Sequence, residues 1–469
     1  MGRGERGHAK PPAARRPVCL ALSDSAAVTV GMNSGLRARL LRGGAGSAAI
    51  RASYIALQFA VGVILARLLG PESLGLYAYA IALAQLLAIS AQFGFPAFLV
   101  RQIAVYRAET AVPQIKGLLV GSMQMTLLLS LTIAVAGAAL LPVLAPGLGQ
   151  GHDTVVILGV SLVPLFALAS VSAGALQGLG HPVLSQVPEQ LIRPTLLLSG
   201  LAILTLSQAK LTAEMALSMQ IGASLLALVV GIWTLVAQTG PAVRKAAAAM
   251  HRTQWVRQSF PFLLLSGAQV LNNQINIILL GALAPQSEVG YFRVAVQVTD
   301  GLTVALIAIS IVIAPQIAGL HARADLSNLQ RVLVLSHRAA TLIVLPLALA
   351  LTAFGADFLT LVFGKEFRPA ADSMSILALG KIAYATVGFA GLALSMMGRA
   401  GVAAVITLGT AALSALLALV LIPIYGMTGA AIAATTGQLL VNFGSVIWIR
   451  KVYGRDLSAF GRLPRAGSM

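Results

Sequence analysis

Leu65-Ala66-Arg67-Leu68-Leu69-Gly70-Pro71-Glu72-Ser73-Leu74-Gly75-Leu76-Tyr77 is a short polar turn held between two long apolar runs, residues 45–69 and 74–99. Each run reaches the roughly 20 residues that an α-helix needs to cross a hydrocarbon core. Gly-Pro followed by Glu-Ser is the chemistry of a tight reversal. The stretch therefore reads as the tip of a hairpin of two membrane-spanning helices. It recurs 214 residues later: Leu69, Pro71, Ser73 and Tyr77 are matched by Leu283, Pro285, Ser287 and Tyr291, and Gln102-Ile103-Ala104 by Gln316-Ile317-Ala318.

Outward from these turns the same pattern fills the chain. Apolar runs between charged or Pro/Gly breaks predict spans at 45–69, 74–99, 117–144, 154–178, 190–208, 213–237, 259–283, 289–317, 338–362, 371–397, 400–423 and 427–449. Of the 469 residues, 58% are hydrophobic and 10% charged, against the roughly 25% charged of a soluble domain. That composition excludes a globular soluble protein. A net charge of +18 would suggest a nucleic-acid partner in a soluble chain; here it reads as one membrane face crowded with Arg and Lys, with no nucleic acid involved.

The twelve spans can be tested by where the basic residues fall. With the N-terminus inside, the predicted cytoplasmic segments hold 25 of the 32 Lys and Arg, and the opposite loops hold 4: Arg67, Lys210, Lys365 and Arg368. Arg193 falls in the cytoplasmic count. The other 3, Arg51, Arg293 and Lys381, lie within predicted helices. A wrong helix number would scramble this alternation, so both termini are expected in the cytoplasm of a bacterial inner membrane. Six helices per repeat is an even number, so both repeats enter the membrane the same way, related by an axis along its normal.

The expected fold class is all-α integral membrane, with 12 transmembrane helices in two six-helix bundles. The boundaries are 43–237 for the first bundle, 238–258 for a basic cytoplasmic linker, 259–450 for the second bundle and 451–469 for a cytoplasmic tail. Residues 1–42 carry eight basic residues and no apolar run long enough for a signal peptide. They read either as a disordered extension or, for the part before Met32, as sequence upstream of the true start.

No phosphate loop, H-E-x-x-H or G-x-S-x-G signature is present, so no enzyme activity and no cofactor are expected. The single Cys19 and six scattered histidines offer no metal site, and the histidines read as solvated residues of tails, loops and helix ends. The informative residues are polar groups inside predicted helices, where a charge costs about 2.5–3.5 kcal/mol at the bilayer centre. Arg293, Gln297 and Asp300 share one face of a predicted helix, at spacings of four and three. Lys381 lies too deep in its helix to snorkel easily, so Asp300 and Lys381 either neutralise one another or line a wet cavity. Gln269, Asn272, Asn273 and Asn276 form an amide stripe, read either as interhelical hydrogen bonding or as cavity wall. Gln58, on the face that carries Arg51 and Tyr54, aligns with Asn272 under the repeat.

Taken together, the first turn (residues 65–77), Glu288-Val289-Gly290-Tyr291-Phe292-Arg293-Val294-Ala295, Phe363-Gly364-Lys365-Glu366-Phe367, Ile376-Leu377-Ala378-Leu379-Gly380 and Met397-Gly398-Arg399 resemble the polysaccharide-repeat (Wzx-type) flippases. These belong to the multidrug/oligosaccharidyl-lipid/polysaccharide exporter superfamily, and the resemblance covers roughly residues 40–450. It implies two bundles forming a V around a central cavity that alternates between the two sides. It also implies a polyprenyl-pyrophosphate-linked, anionic oligosaccharide as cargo, with Arg51, Arg293 and Lys381 as anion contacts. Expected partners are that glycolipid, membrane lipids and glycan polymerase or ligase machinery. The competing reading is a multidrug or cation antiporter of the same fold, which wants deep acidic residues and finds only Asp300. A scaffold within a glycan assembly complex would leave the intramembrane charges without purpose.

Overall fold

A computed structural model describes residues 34–144, 153–206, 211–323, 325–454 and 456–461. The expectations for the N-terminal extension before Ser34 and for the end of the tail lie outside the described residues. The chain divides into two compact units, residues 1–44 and 45–469. The described part of the first is helical from Ser34. The second contains every stretch long and apolar enough to cross a membrane among the described residues.

The described residues form helices and no strand. In chain order these are α1 Ser34–Gln92, α2 Phe95–Ala108, α3 Val112–Leu144, α4 Asp153–Gly178, a π-turn Pro188–Ile192, α5 Arg193–Leu206, α6 Ala213–Gln238 and the short α7 Pro241–Lys245. Then come α8 Arg252–Leu283, α9 Gln286–Gly301, α10 Thr303–Ala322, α11 Leu326–Val362, a 3₁₀ turn Lys365–Ala370, α12 Ala371–Val387, α13 Phe389–Met396 and α14 Ala400–Tyr453. Ten stretches among the described residues are long and apolar enough to cross a membrane; the chain is a multi-pass membrane protein. Large apolar side chains such as Leu128, Val135, Leu342 and Leu361 stand exposed on the helices, as lipid-facing residues must.

Two of the ten, Gly46–Ala108 and Gly401–Tyr453, run to 63 and 53 residues, far beyond one crossing. Both are broken by glycines in left-handed backbone. In α1 the break is Gly70 (φ 71°), directly before Pro71; in α14 it is Gly426 (φ 54°). A side chain at φ near +60° is sterically disfavoured, so glycine is what lets the chain turn there. The reversal expected at 70–71 is where two helices meet, across the non-helical backbone of Gly70. Other spans divide where one helix was expected. Residues 74–99 break at Phe93-Gly94, 289–317 at Leu302, and 371–397 at Gly388.

Within the stretch expected as a linker, 238–258, α7 ends at Lys245 and α8 starts at Arg252. Lys116 Nζ donates to the carbonyls of Arg244 (2.7 Å) and Ala246 (2.8 Å), tying the linker to α3. The buried Trp255 donates its indole N–H to the Tyr106 hydroxyl at 3.2 Å. Gly174 and Gly178 let α4 approach the backbone of α2 at Pro96 and Leu99, a small-residue contact of the kind that packs membrane helices. At the start of α11, Asp325 accepts from the Asn328 backbone N–H (3.0 Å) and side-chain amide (2.7 Å). These bonds hold its carboxyl below the usual carboxylate range.

One expectation about histidine is overturned. His337 is fully buried within α11 and its Nε2 accepts the Phe389 backbone N–H at 3.1 Å. That N–H is freed by the break at Gly388, and an unpaired backbone donor inside a membrane protein is costly. The described end of the tail is also packed: Leu457 is buried, and the Ala459 N–H bonds the Thr386 carbonyl at 2.9 Å.

Buried side chains gather in distinct clusters. One joins α2, α3 and α4 around Phe95, Phe98, Leu118 and Leu176, and another joins α1, α4 and α6 around Ala84, Leu162 and Leu217. A further cluster lies wholly beyond residue 300, around Leu333, Val344 and Phe389. The largest spans both parts of the chain, bringing Leu65 and Leu74 to Leu280, Phe292 and Phe363.

Candidate functional site

That shared cluster closes one end of a central cavity of about 980 Å³. At the closed end Arg67 caps the C-terminus of α11, donating to the carbonyls of Leu361 (2.6 Å) and Val362 (2.8 Å). Gly75 lies against the Gln286 carbonyl and Gly290 against the Pro71 carbonyl, so closely that neither position has room for a Cβ. Glu288 accepts the Met427 N–H at 2.6 Å, beside the left-handed Gly426. From there the cavity runs past Leu65 and Tyr77 to Arg51 and Ser395 towards the other end.

Every polar residue singled out from the sequence lines this one cavity: Arg51, Gln58, Asn272, Asn273, Asn276, Arg293, Gln297, Asp300 and Lys381. Their environments differ. Lys381 Nζ meets Asp300 Oδ1 at 3.1 Å; the lysine side chain is 10% exposed and the aspartate 58%. The two charges are paired, and both side chains line the cavity. Arg51 and Arg293 have no carboxylate within ion-pair distance among the described residues. Asp300 is the only carboxylate on the wall of this cavity among the described residues.

The amides divide in the same way. Asn276 is buried and its Oδ1 has no partner among the described groups. Gln58 donates to the Tyr54 hydroxyl one turn earlier, at 3.1 Å. Gln297 is committed differently: its Nε2 donates to the Phe59 carbonyl at 3.1 Å, in space left by Gly62, where a Cβ would collide with the glutamine. Gln274 likewise reaches from α8 to α1 and donates to Gln85 Oε1 at 2.6 Å. These two amides tie together helices from the two repeats.

Sequence reasoning missed Arg193. Counted with a loop, it lines the cavity instead, paired to Glu189 at 2.8 Å and stacked 5.3 Å over the Phe166 ring. The π-turn before it explains the position. Pro194 has no N–H, and its ring clashes with the carbonyl four residues back. The backbone N–H of Arg193 then donates to the Pro188 carbonyl, five residues back. The extra residue in the turn rotates Arg193, and the pair Pro188 and Pro194 is the signal that could have flagged it.

Comparison with known proteins agrees with this architecture. The model of a family described as polysaccharide biosynthesis protein matches residues 44–321. A probable low-salt glycan biosynthesis flippase, Agl15 of Haloferax volcanii, is 28% identical over 159 residues. That match covers 34% of this chain and spans only about a third, 34%, of the relative. Among solved structures, an inward-facing multidrug resistance MATE family transporter of the MOP superfamily superposes with a TM-score of 0.72 at 14% identity, covering 86% of this chain and 98% of that one. The lipid II flippase MurJ in an inward closed conformation gives 0.69 at 12% identity, covering 86% of each chain. The two structures share the fold with this chain.

Proposed function

Because the chain belongs to the polysaccharide biosynthesis protein family, we propose that it is a flippase for a polyprenyl-pyrophosphate-linked oligosaccharide. In this reading it moves the glycolipid from the cytoplasmic to the outer leaflet by alternating access, for cell-surface polysaccharide synthesis, and does no covalent chemistry. The observation that carries the reading is the wall of the central cavity. Arg51 and Arg293 face it without a carboxylate partner, and Lys381 and a row of amides face it with them. Unpaired guanidiniums are suited to a phosphate, and amides to the hydroxyls of a sugar.

Further features support the mechanism. Counting the spans broken at Gly70 and Gly426 as two each gives twelve crossings, consistent with two six-helix bundles over 43–237 and 259–450. The clusters around Leu162 and around Leu333, each confined to one part of the chain, fit two bundles, and the shared cluster with the Arg67 cap fits a closed outer gate. The 25-to-4 distribution of basic residues favours cytoplasmic termini in a bacterial inner membrane. An inside-negative potential favours outward movement of an anionic head group by roughly 2.3 kcal/mol per charge per 100 mV.

The competing reading, a drug or cation antiporter, would use Asp300, whose exposed carboxylate faces the cavity. Lys381 already occupies that carboxylate, which weighs against it. The test is export complementation measured alongside membrane abundance. Lys381→Ala is expected to abolish glycan export at near-normal abundance, and Lys381→Arg to keep part of it, because the charge survives. Export recovered in the double variant Asp300→Ala/Lys381→Ala would remove Lys381 from substrate contact, since an unpaired buried charge costs more than none.

A further inference from the structure

A second recess, of about 610 Å³, opens beside the central cavity among the ends of α1, α2 and α4 and the π-turn. The two share a wall made by Arg51, Tyr54 and Arg193. Beyond that wall the character changes. The recess is lined by the amides of Gln92, Gln177, Gln186 and Gln190, two serine hydroxyls and the Glu189 carboxylate. Arg51 and Arg193 are its only basic residues among those described, and both belong to the shared wall.

The polar groups of the recess are unevenly satisfied. Gln186 spends its amide N–H groups on Ser47 Oγ and the Pro182 carbonyl. Glu189 spends one oxygen on Arg193, while its Oε1 is buried without a partner among the described groups. The buried Oε1 of Gln190 is in the same state. Both acceptors sit on the π-turn, an irregularity that recurs at functional sites. Gln92 is itself 8% exposed and lines the recess. The glutamine amides and serine hydroxyls that line the recess suit a ligand rich in hydroxyls.

We propose that this recess is the saccharide subsite of the transporter. The inference rests on the flippase reading above and goes beyond it by separating the head group into two parts. The pyrophosphate lies on the central-cavity side of the shared wall, at the unpaired Arg51 guanidinium. The first sugar residues turn aside into the amide-lined recess, where their hydroxyls bond the glutamine amides and serine hydroxyls that line it. Tyr54, its hydroxyl held by Gln58, offers a ring face to the sugar at the junction. The lipid is then bound by its phosphates, and the recess selects among glycans.

The experiment offers purified full-length protein an equimolar mixture of two lipids. One is sugar-free undecaprenyl pyrophosphate; the other is total glycan-bearing polyprenyl pyrophosphate extracted from the source organism. Retained lipid is quantified by mass spectrometry against undecaprenol, which has the chain and no phosphate. Wild type should enrich the glycan-bearing form by about five-fold or more, the worth of a hydrogen bond or two. Gln92→Leu/Gln190→Leu should bring the ratio to about one while retaining sugar-free pyrophosphate as before. Gln92→Leu alone, on α1 and away from the π-turn, should lower the ratio part of the way, and it decides the matter if the double variant does not purify as a single species. Equal retention of both pyrophosphates by wild type, or an unchanged ratio in the variants, overturns the saccharide subsite and leaves the flippase reading standing. Retention of neither pyrophosphate above undecaprenol overturns both.

Discussion

Gln297 of α9 donates its side-chain amide to the backbone carbonyl of Phe59 on α1, 3.1 Å away and 238 residues earlier in the chain. A backbone acceptor in α1 is normally spent on its own helix, so this contact needs a close approach that only Gly62 permits. A residue expected to meet substrate lines the cavity and also ties α9 to α1.

Breaking that tie should loosen the closed end. With Cys19 replaced by serine and a reporter cysteine at Ser73 in the outer turn, Gln297→Leu should raise labelling by an impermeant maleimide about five-fold, one hydrogen bond of about 1 kcal/mol. Gly62→Leu, which pushes the glutamine aside, should act in the same direction. Unchanged labelling in both would mean that the tie does not contribute to closure.

Arg67 should matter through its two carbonyl contacts on α11. The side chain is exposed, so solvent screening trims the pair to about 1 kcal/mol. Arg67→Ala is expected to raise the same labelling on the order of five-fold, and Arg67→Lys, which lacks the fork, to recover less than half of the loss. Full recovery by lysine would show that charge alone is enough.

Gly75 and Gly290 leave no such tolerance, because a Cβ at either meets backbone carbonyl oxygen rather than a side chain that could move aside. Gly75→Ala and Gly290→Ala should each insert at near-normal levels. Each should shift labelling at Ser73 by about ten-fold or more, an overpacking cost of at least about 1.4 kcal/mol. A variant that labels like wild type would show that the helices part without cost.

Topology is open to a direct check. Reporter fusions at Pro285 should report the outside, and fusions at Ala247 and Gly454 the cytoplasm. An outside signal at Gly454 would overturn the twelve-crossing arrangement and the orientation of the cavity with it.

The sequence alone determined that this is a helical, multi-pass membrane protein and which polar groups stand out along it. It did so because a hydrocarbon solvent acts along one dimension: each crossing needs about 20 apolar residues, and each buried charge is an exception visible by type. Arg51, Asn272 and Lys381 were legible on that ground, and all three line the cavity. The tertiary structure decided how each helix is rotated and what it touches. Lipid tails are as apolar as leucine, so hydrophobicity does not say which face of a helix meets protein. Asp300 and Lys381 are 81 residues apart and pair only because α9 packs against α12. The commitment of Gln297 to a main-chain carbonyl left no trace in residue types. The π-turn that carries Arg193 into the cavity follows from two prolines whose effect on local register shows only in three dimensions. The physical reason is the same in each case: burial in a membrane is a property of segments, whereas hydrogen bonds and ion pairs between helices are set by packing angles that small residues permit.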